Sequence, residues 1–170
     1  MWAWLKNLFK AKPKAVVIPE PVKAPTPKPP NAVLPQMPWV DIAKAELGVA
    51  EYRGGENQRI LEYHRRTTLK ATEDEVPWCS SFVCWVLEQA GYRSTKDAWA
   101  RSYLGWGLHL DAPKLGAVVI FDRGAGKGHV GFISDFDSEN IYVLGGNQDN
   151  KVSVKAYPRS KVLGYRWPVK

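Results

Sequence analysis

This chain has little of what cross-links a protein or anchors it in a bilayer. Of its 170 residues, two are cysteine and three are histidine. Both cysteines fall in one stretch, PWCSSFVCW, at positions 79 and 84. On a helix these positions lie about 140° apart around the axis and about 7.5 Å apart along it. A disulfide needs Cα atoms within about 4.4–6.8 Å, so no internal bridge is expected. A structural zinc site needs four ligands at recognisable spacing. Two cysteines and the scattered His64, His109 and His129 do not supply one, and neither metal nor cofactor is expected. No run approaches the roughly 18 apolar residues of a membrane-spanning helix. Acid is scarce at the N-terminus. Residues 1–38 hold six lysines against one glutamate, which is five of the seven net positive charges. The rest of the chain is close to neutral, which argues against specific nucleic-acid binding.

What is present divides the chain in three. Residues 1–11, MWAWLKNLFK and one alanine, read as a short amphipathic basic segment suited to lying on a surface. Residues 12–38 hold nine of the thirteen prolines, with lysine and alanine between them, and read as an extended spacer. Such a basic arm suits an anionic membrane or envelope polymer. Lys6 and Lys10 interrupt what would be the apolar stretch of a secretory signal, and no small-residue cleavage site follows. The expectation is a protein kept in the cytoplasm until something releases it.

Residues 39–170 read as one domain. PWVDIAKAELGV, ENQRILEYHRRT and CSSFVCWVLEQAGY have helical apolar spacing, the last closed by Gly91. DAWARSYLGWG reads as a short helix or turn. GAVVIF, HVGFIS, NIYVLGG, KVSVKAY and VLGYRW then follow as short β-branched and aromatic runs between Gly, Asp and Asn. Helices first and antiparallel strands after is an α+β pattern.

Cys84 sits mid-helix between Val83 and Trp85 and reads as packing. Cys79 sits in the first turn, where unpaired N–H groups and the helix dipole favour an anion and lower a thiol pKa. A thiolate nucleophile needs a base and the base needs an orienting group. His64 reads as a solvated residue on a charged helix face, and His109 as a second choice in a loop. His129 opens a strand after a glycine-rich loop, at the rim of the sheet. Pairing HVGFIS with IYVLGG about the turn DFDSEN sets His129 opposite Gly146, with Asn147 one position beyond as orienting carbonyl. Gln148 is the neighbouring alternative. Asp135, Asp137 and Glu139 lack a full calcium-loop pattern and read as a solvated turn. Trp99, Tyr103 and Trp106 read as core before groove.

PWCSSFVCWVLEQAGY, PKLGAVVIFDRG, GHVGFI and IYVLGGNQDNKV, in that order, resemble the papain-like cell-wall amidases of the CHAP and NlpC type, in particular a subgroup common in phage endolysins. The likeness spans about residues 39–168. It implies a papain-like fold, with N-terminal helices on a five- or six-stranded antiparallel sheet and the nucleophile at a helix N-terminus. It implies cleavage of an amide in peptidoglycan through a thioester. Cys79 is then the nucleophile, His129 the base and acid, and Asn147 the orienting residue. Trp78, Ser80 and Gln148 are expected near the substrate. Many relatives have glutamate two positions before that asparagine, where this chain has Gly145. The resemblance implies a monomeric endolysin held in the host bacterial cytoplasm and acting on the periplasmic wall. An interbacterial toxin, a virion-borne lysin and a non-catalytic wall-binding module on the same fold stay open, as does the bond cut.

Overall fold

A computed structural model describes residues 36–170. The segments 1–11 and 12–35, on which the amphipathic-arm and spacer readings rest, lie outside the described residues. Three helices come first: α1 (Pro38–Ala45), α2 (Gln58–His64) and α3 (Cys79–Gln89). A 3-10 segment, Ala100–Gly105, leads into six strands. These are β1 (Leu108–Leu110), β2 (Val118–Asp122), β3 (Gly128–Phe136), β4 (Asn140–Gly145), β5 (Ser153–Pro158) and β6 (Val162–Trp167). They form one antiparallel sheet in the order β1-β6-β2-β3-β4-β5. The class is α+β, as the change from helical spacing to short β-branched runs predicted.

Local chemistry sets the helix ends. Pro38 opens α1 where its missing N–H costs nothing. The Asn57 side chain caps α2 by accepting from the Arg59 N–H at 2.9 Å. Gly91, at φ 77°, closes α3, and the Tyr92 N–H returns to the Leu87 carbonyl. The short strand β1, read from sequence as loop, exists because Leu108–Leu110 pair with Tyr165–Trp167 of β6. Three residues carry no period of their own.

Apolar side chains lie on both faces of the sheet. Val118, Ile120, Val130 and Phe132 meet Phe82, Val83 and Val86 of α3. Val119, Phe121, Ile133, Ile141 and Val143 form a second cluster on the opposite face. This explains why GAVVIF runs apolar without alternation. Helix α3 is buried along Cys79–Leu87, so its N-terminal turn is fixed against the sheet. Beneath it the Glu46 carboxylate, itself buried, accepts from the Tyr63 hydroxyl at 2.6 Å and pairs with Arg59 at 2.8 Å. Partners on both oxygens offset the cost of burying that charge.

Candidate functional site

Cys79 is the first residue of α3, and Trp78 precedes it as N-cap. Cys79 lines a groove of about 560 Å³, whose walls include Pro77, Trp99, Ala100, Arg123 and Lys127. Its sulfur lies against β3. Burial pushes the thiol pKa up. Backbone N–H groups of Val130, Ser80 and Cys79 itself, with the Arg123 guanidinium, pull it back down but do not offset the burial. The helix-terminus argument therefore named the right groups and the wrong net direction. The site holds a neutral thiol at rest.

Val130 follows His129, so the strand that donates to the sulfur also carries the imidazole. His129 is fully buried. Its Nε2 contacts Gln148 Oε1 at 3.1 Å. The Gln148 amide NH₂ donates to the carbonyls of Val143 and Ser153, at 3.1 and 2.6 Å. That leaves Gln148 Oε1 as the acceptor facing the ring, so Nε2 carries the proton and donates it. Nδ1 is then the basic nitrogen, and it has no hydrogen-bond partner among the described residues. Burial first, then the positive field of Arg123, drives the imidazole pKa down to about 3.

The structure places Gln148, not Asn147, on His129. The register explains the difference. Phe132–Leu144 is the last pair of the β3–β4 ladder at this end, and β4 itself ends at Gly145. Asn147, with φ 54°, turns the chain out of the strand direction, so extrapolated pairing fails there. Two glycines make room for this exit. A Cβ on Gly146 would meet the Trp78 ring at 2.5 Å and Phe82 at 2.7 Å. A Cβ on Gly145 would lie 3.3 Å from Gln148 Oε1 and 3.5 Å from His129 Nε2. Gln148 fills the space beside Gly145.

Three other expectations are corrected. Trp78 does not line the groove. It is fully buried, stacks near Tyr63 and donates its indole N–H to Glu51 at 2.9 Å. Ser80 is equally buried, and its hydroxyl donates to the Asp97 carbonyl at 2.6 Å, holding the loop before Trp99. Both polar atoms are satisfied inside the protein and neither is offered to a substrate. His64 is no solvated residue either. It is fully buried, with Nδ1 3.1 Å from the Ser81 hydroxyl under α3. His109 lies exposed on β1 between Asp111 and Arg166, across the sheet from Cys79. Cys84 is buried against the Tyr103 hydroxyl at 3.2 Å, as packing predicted. Asp137 closes a solvated turn by accepting from the Glu139 and Asn140 N–H groups. Among the described residues no cluster of three metal-ligating side chains occurs. Both cysteines are free.

Three residues were missed. Tyr157 stacks on His129, with ring centres 5.1 Å apart and an interplanar angle of 28°, and fixes the ring plane. Arg123 reaches the Tyr157 hydroxyl at 3.4 Å. Trp99, read as core, is 56% exposed at the groove. No local signal in KVSVKAY marks Tyr157, and only its packing on the second-cluster face of the sheet brings it over His129.

The arrangement brings a thiol that meets the Val130 N–H, and an oriented imidazole on the residue before it, to one end of β3 beside an open groove. Residues 71–147 match the model of the CHAP domain. Gln148 and Tyr157 lie beyond the matched stretch. A solved Staphylococcus aureus subsp. aureus Mu50 protein, described as similar to lipoprotein and of the NLP/P60 family, is 16% identical. That alignment covers 79% of this chain and 41% of the other, with a TM-score of 0.46. Comparison with curated proteins gives no match.

Proposed function

We propose that this chain, which carries a domain of the CHAP/NlpC superfamily, hydrolyses an amide bond of bacterial peptidoglycan by thiol catalysis. The observation that carries the reading is Cys79 at the groove-facing start of α3, against the strand that carries a buried His129 whose tautomer Gln148 sets.

The steps follow from those positions. His129 Nδ1 takes the Cys79 proton as the sulfur attacks the amide carbonyl carbon. Because the resting pair is neutral, proton transfer accompanies attack. The carbonyl π-electrons move onto oxygen, and the Cys79 backbone N–H at the helix terminus stabilises that oxyanion. The intermediate collapses, the C–N bond breaks, and the amine leaves with the proton from His129. A thioester remains on Cys79. Water, deprotonated by His129, attacks it and releases the carboxylic acid and the thiol. Gln148 holds Nε2–H throughout, and stacking on Tyr157 keeps the ring in plane.

The biological setting we favour is a phage endolysin that degrades the wall after release from the host cytoplasm, with the basic residues 1–38 directing it to an anionic envelope surface. An interbacterial toxin or virion-borne lysin uses the same chemistry. The test is digestion of purified peptidoglycan by wild type and Cys79→Ala, with products weighed by mass spectrometry. Products made only by wild type support the reading, and their masses name the bond. Absence of products on several wall types would refute it.

A further inference from the structure

The groove beside Cys79 has two unlike walls. One is apolar, built on Pro77 and the exposed ring of Trp99. The other is the β2–β3 hairpin, which brings Arg123 and Lys127 to the groove. The Arg123 N–H donates to the Lys127 carbonyl at 3.1 Å, so the two residues face each other across a tight turn. Gly124, Ala125 and Gly126 at its tip all have positive φ. No carboxylate lines this groove among the described residues. The acid nearest in sequence, Asp122, is taken up by Arg101 and by the Gly124 N–H. Asp149, in the loop after β4 and within the field of Arg123, is paired with Lys155 at 2.7 Å. Neither Arg123 nor Lys127 makes an ion pair among the described residues. Among the described residues, the one side-chain hydrogen bond of the Arg123 guanidinium is to the neutral Tyr157 hydroxyl.

Two cations at a groove without an anion lack a counter-charge that a ligand can supply. We infer that Arg123, with Lys127 beside it, binds a free carboxylate of the substrate close to the scissile amide. The inference rests on the amidase reading for what is bound, and it names the substrate class: an acidic peptide rather than its amidated form. Arg123 suits the role because a guanidinium grips a carboxylate through two parallel N–H groups, where a lysine offers a point charge. Carboxylate binding has a second consequence. Burial first, and then the Arg123 charge, hold the His129 imidazole in its neutral form. A substrate anion on Arg123 cancels part of that field, so the base strengthens when substrate arrives.

The test uses two synthetic wall-stem peptides that differ only in a glutamyl α-carboxyl, free in one and carboxamide in the other. Turnover by wild type is expected to favour the free acid at least tenfold in kcat/KM. Arg123→Gln should bring that ratio towards one, and Lys127→Gln should reduce it less. Binding is measured in parallel on Cys79→Ala, by titration of each peptide against tryptophan fluorescence. The acid should bind more tightly, with a preference that added salt weakens and Arg123→Gln removes. Equal binding of both peptides to Cys79→Ala, or a preference that survives Arg123→Gln, overturns the inference. Preferential binding without turnover by wild type would instead refute the amidase reading and leave the carboxylate site standing.

Discussion

Replacing His129 by glutamine removes an imidazole that folding forces to stay neutral. Its pKa falls from 6.5 to about 3 in the folded protein. Between those values the unfolded chain binds a proton that the folded chain does not, so stability falls as the solution is acidified. The contribution is complete above pH 6.5 and is lost progressively as pH falls towards 3. At pH 7 the two states differ little. At pH 5 the unfolded imidazole is about thirtyfold protonated over neutral, while the folded one is still neutral. At 1.36 kcal/mol per tenfold, that costs the folded state about 2 kcal/mol. The assay is urea unfolding followed by tryptophan fluorescence at pH 7 and pH 5, on wild type and His129→Gln. Wild type should lose about 2 kcal/mol more than the variant over this interval. Buried His64 and the carboxylates titrate in both proteins, so they cancel in the comparison. Equal losses in the two proteins would mean that His129 is solvated or paired with an anion. The neutral resting pair would then be wrong.

Other expectations follow from the same geometry. Gln148→Ala should cut kcat on a soluble amide substrate by about 10²-fold with little change in KM, whereas Asn147→Ala should cost far less; the reverse order would restore Asn147 as the orienting residue. Gly146→Ala places a methyl 2.5 Å from the Trp78 ring and should destabilise by about 1–3 kcal/mol through overpacking, read by thermal denaturation. Cys84→Ser should leave turnover within about twofold while lowering Tm, since that sulfur packs on Tyr103 away from the groove; a folded but inactive variant would mean that Cys84 takes part in the reaction. Activity on a soluble substrate should show no loss centred at pH 6.5, since His129 stays a neutral base well below that pH; a midpoint near 6.5 would place the working imidazole in water.

The class and the positions of the two residues proposed to react, Cys79 and His129, were legible because each rests on local signals. Pro77 and Trp78 mark the start of α3 and put Cys79 in its first turn. A glycine-rich hairpin before a β-branched run puts His129 at the start of β3. The 3.6-residue spacing of Phe82, Val83, Val86 and Leu87 and the β-branched runs after residue 116 fix the order of helices and strands. These are properties of short segments, and short segments keep their preferences when the chain packs.

What only the tertiary structure decided lies where two segments meet. Whether Asn147 or Gln148 reaches His129 depends on where β4 stops pairing, and that is set by Gly146 yielding to the Trp78 ring. Whether the Cys79 thiol rises or falls depends on burial against β3 outweighing the N–H groups of its own helix. Trp78 and Ser80 looked available beside Cys79, yet each spends its polar atom on a residue 17 or more positions away. Tyr157 and Arg123 join the site from β5 and the β2–β3 hairpin, elements that sequence order leaves 34 residues apart. Local sequence determines which elements form and which residues open them. Burial, register and charge at a site are sums over distant neighbours, and only the packed structure supplies those.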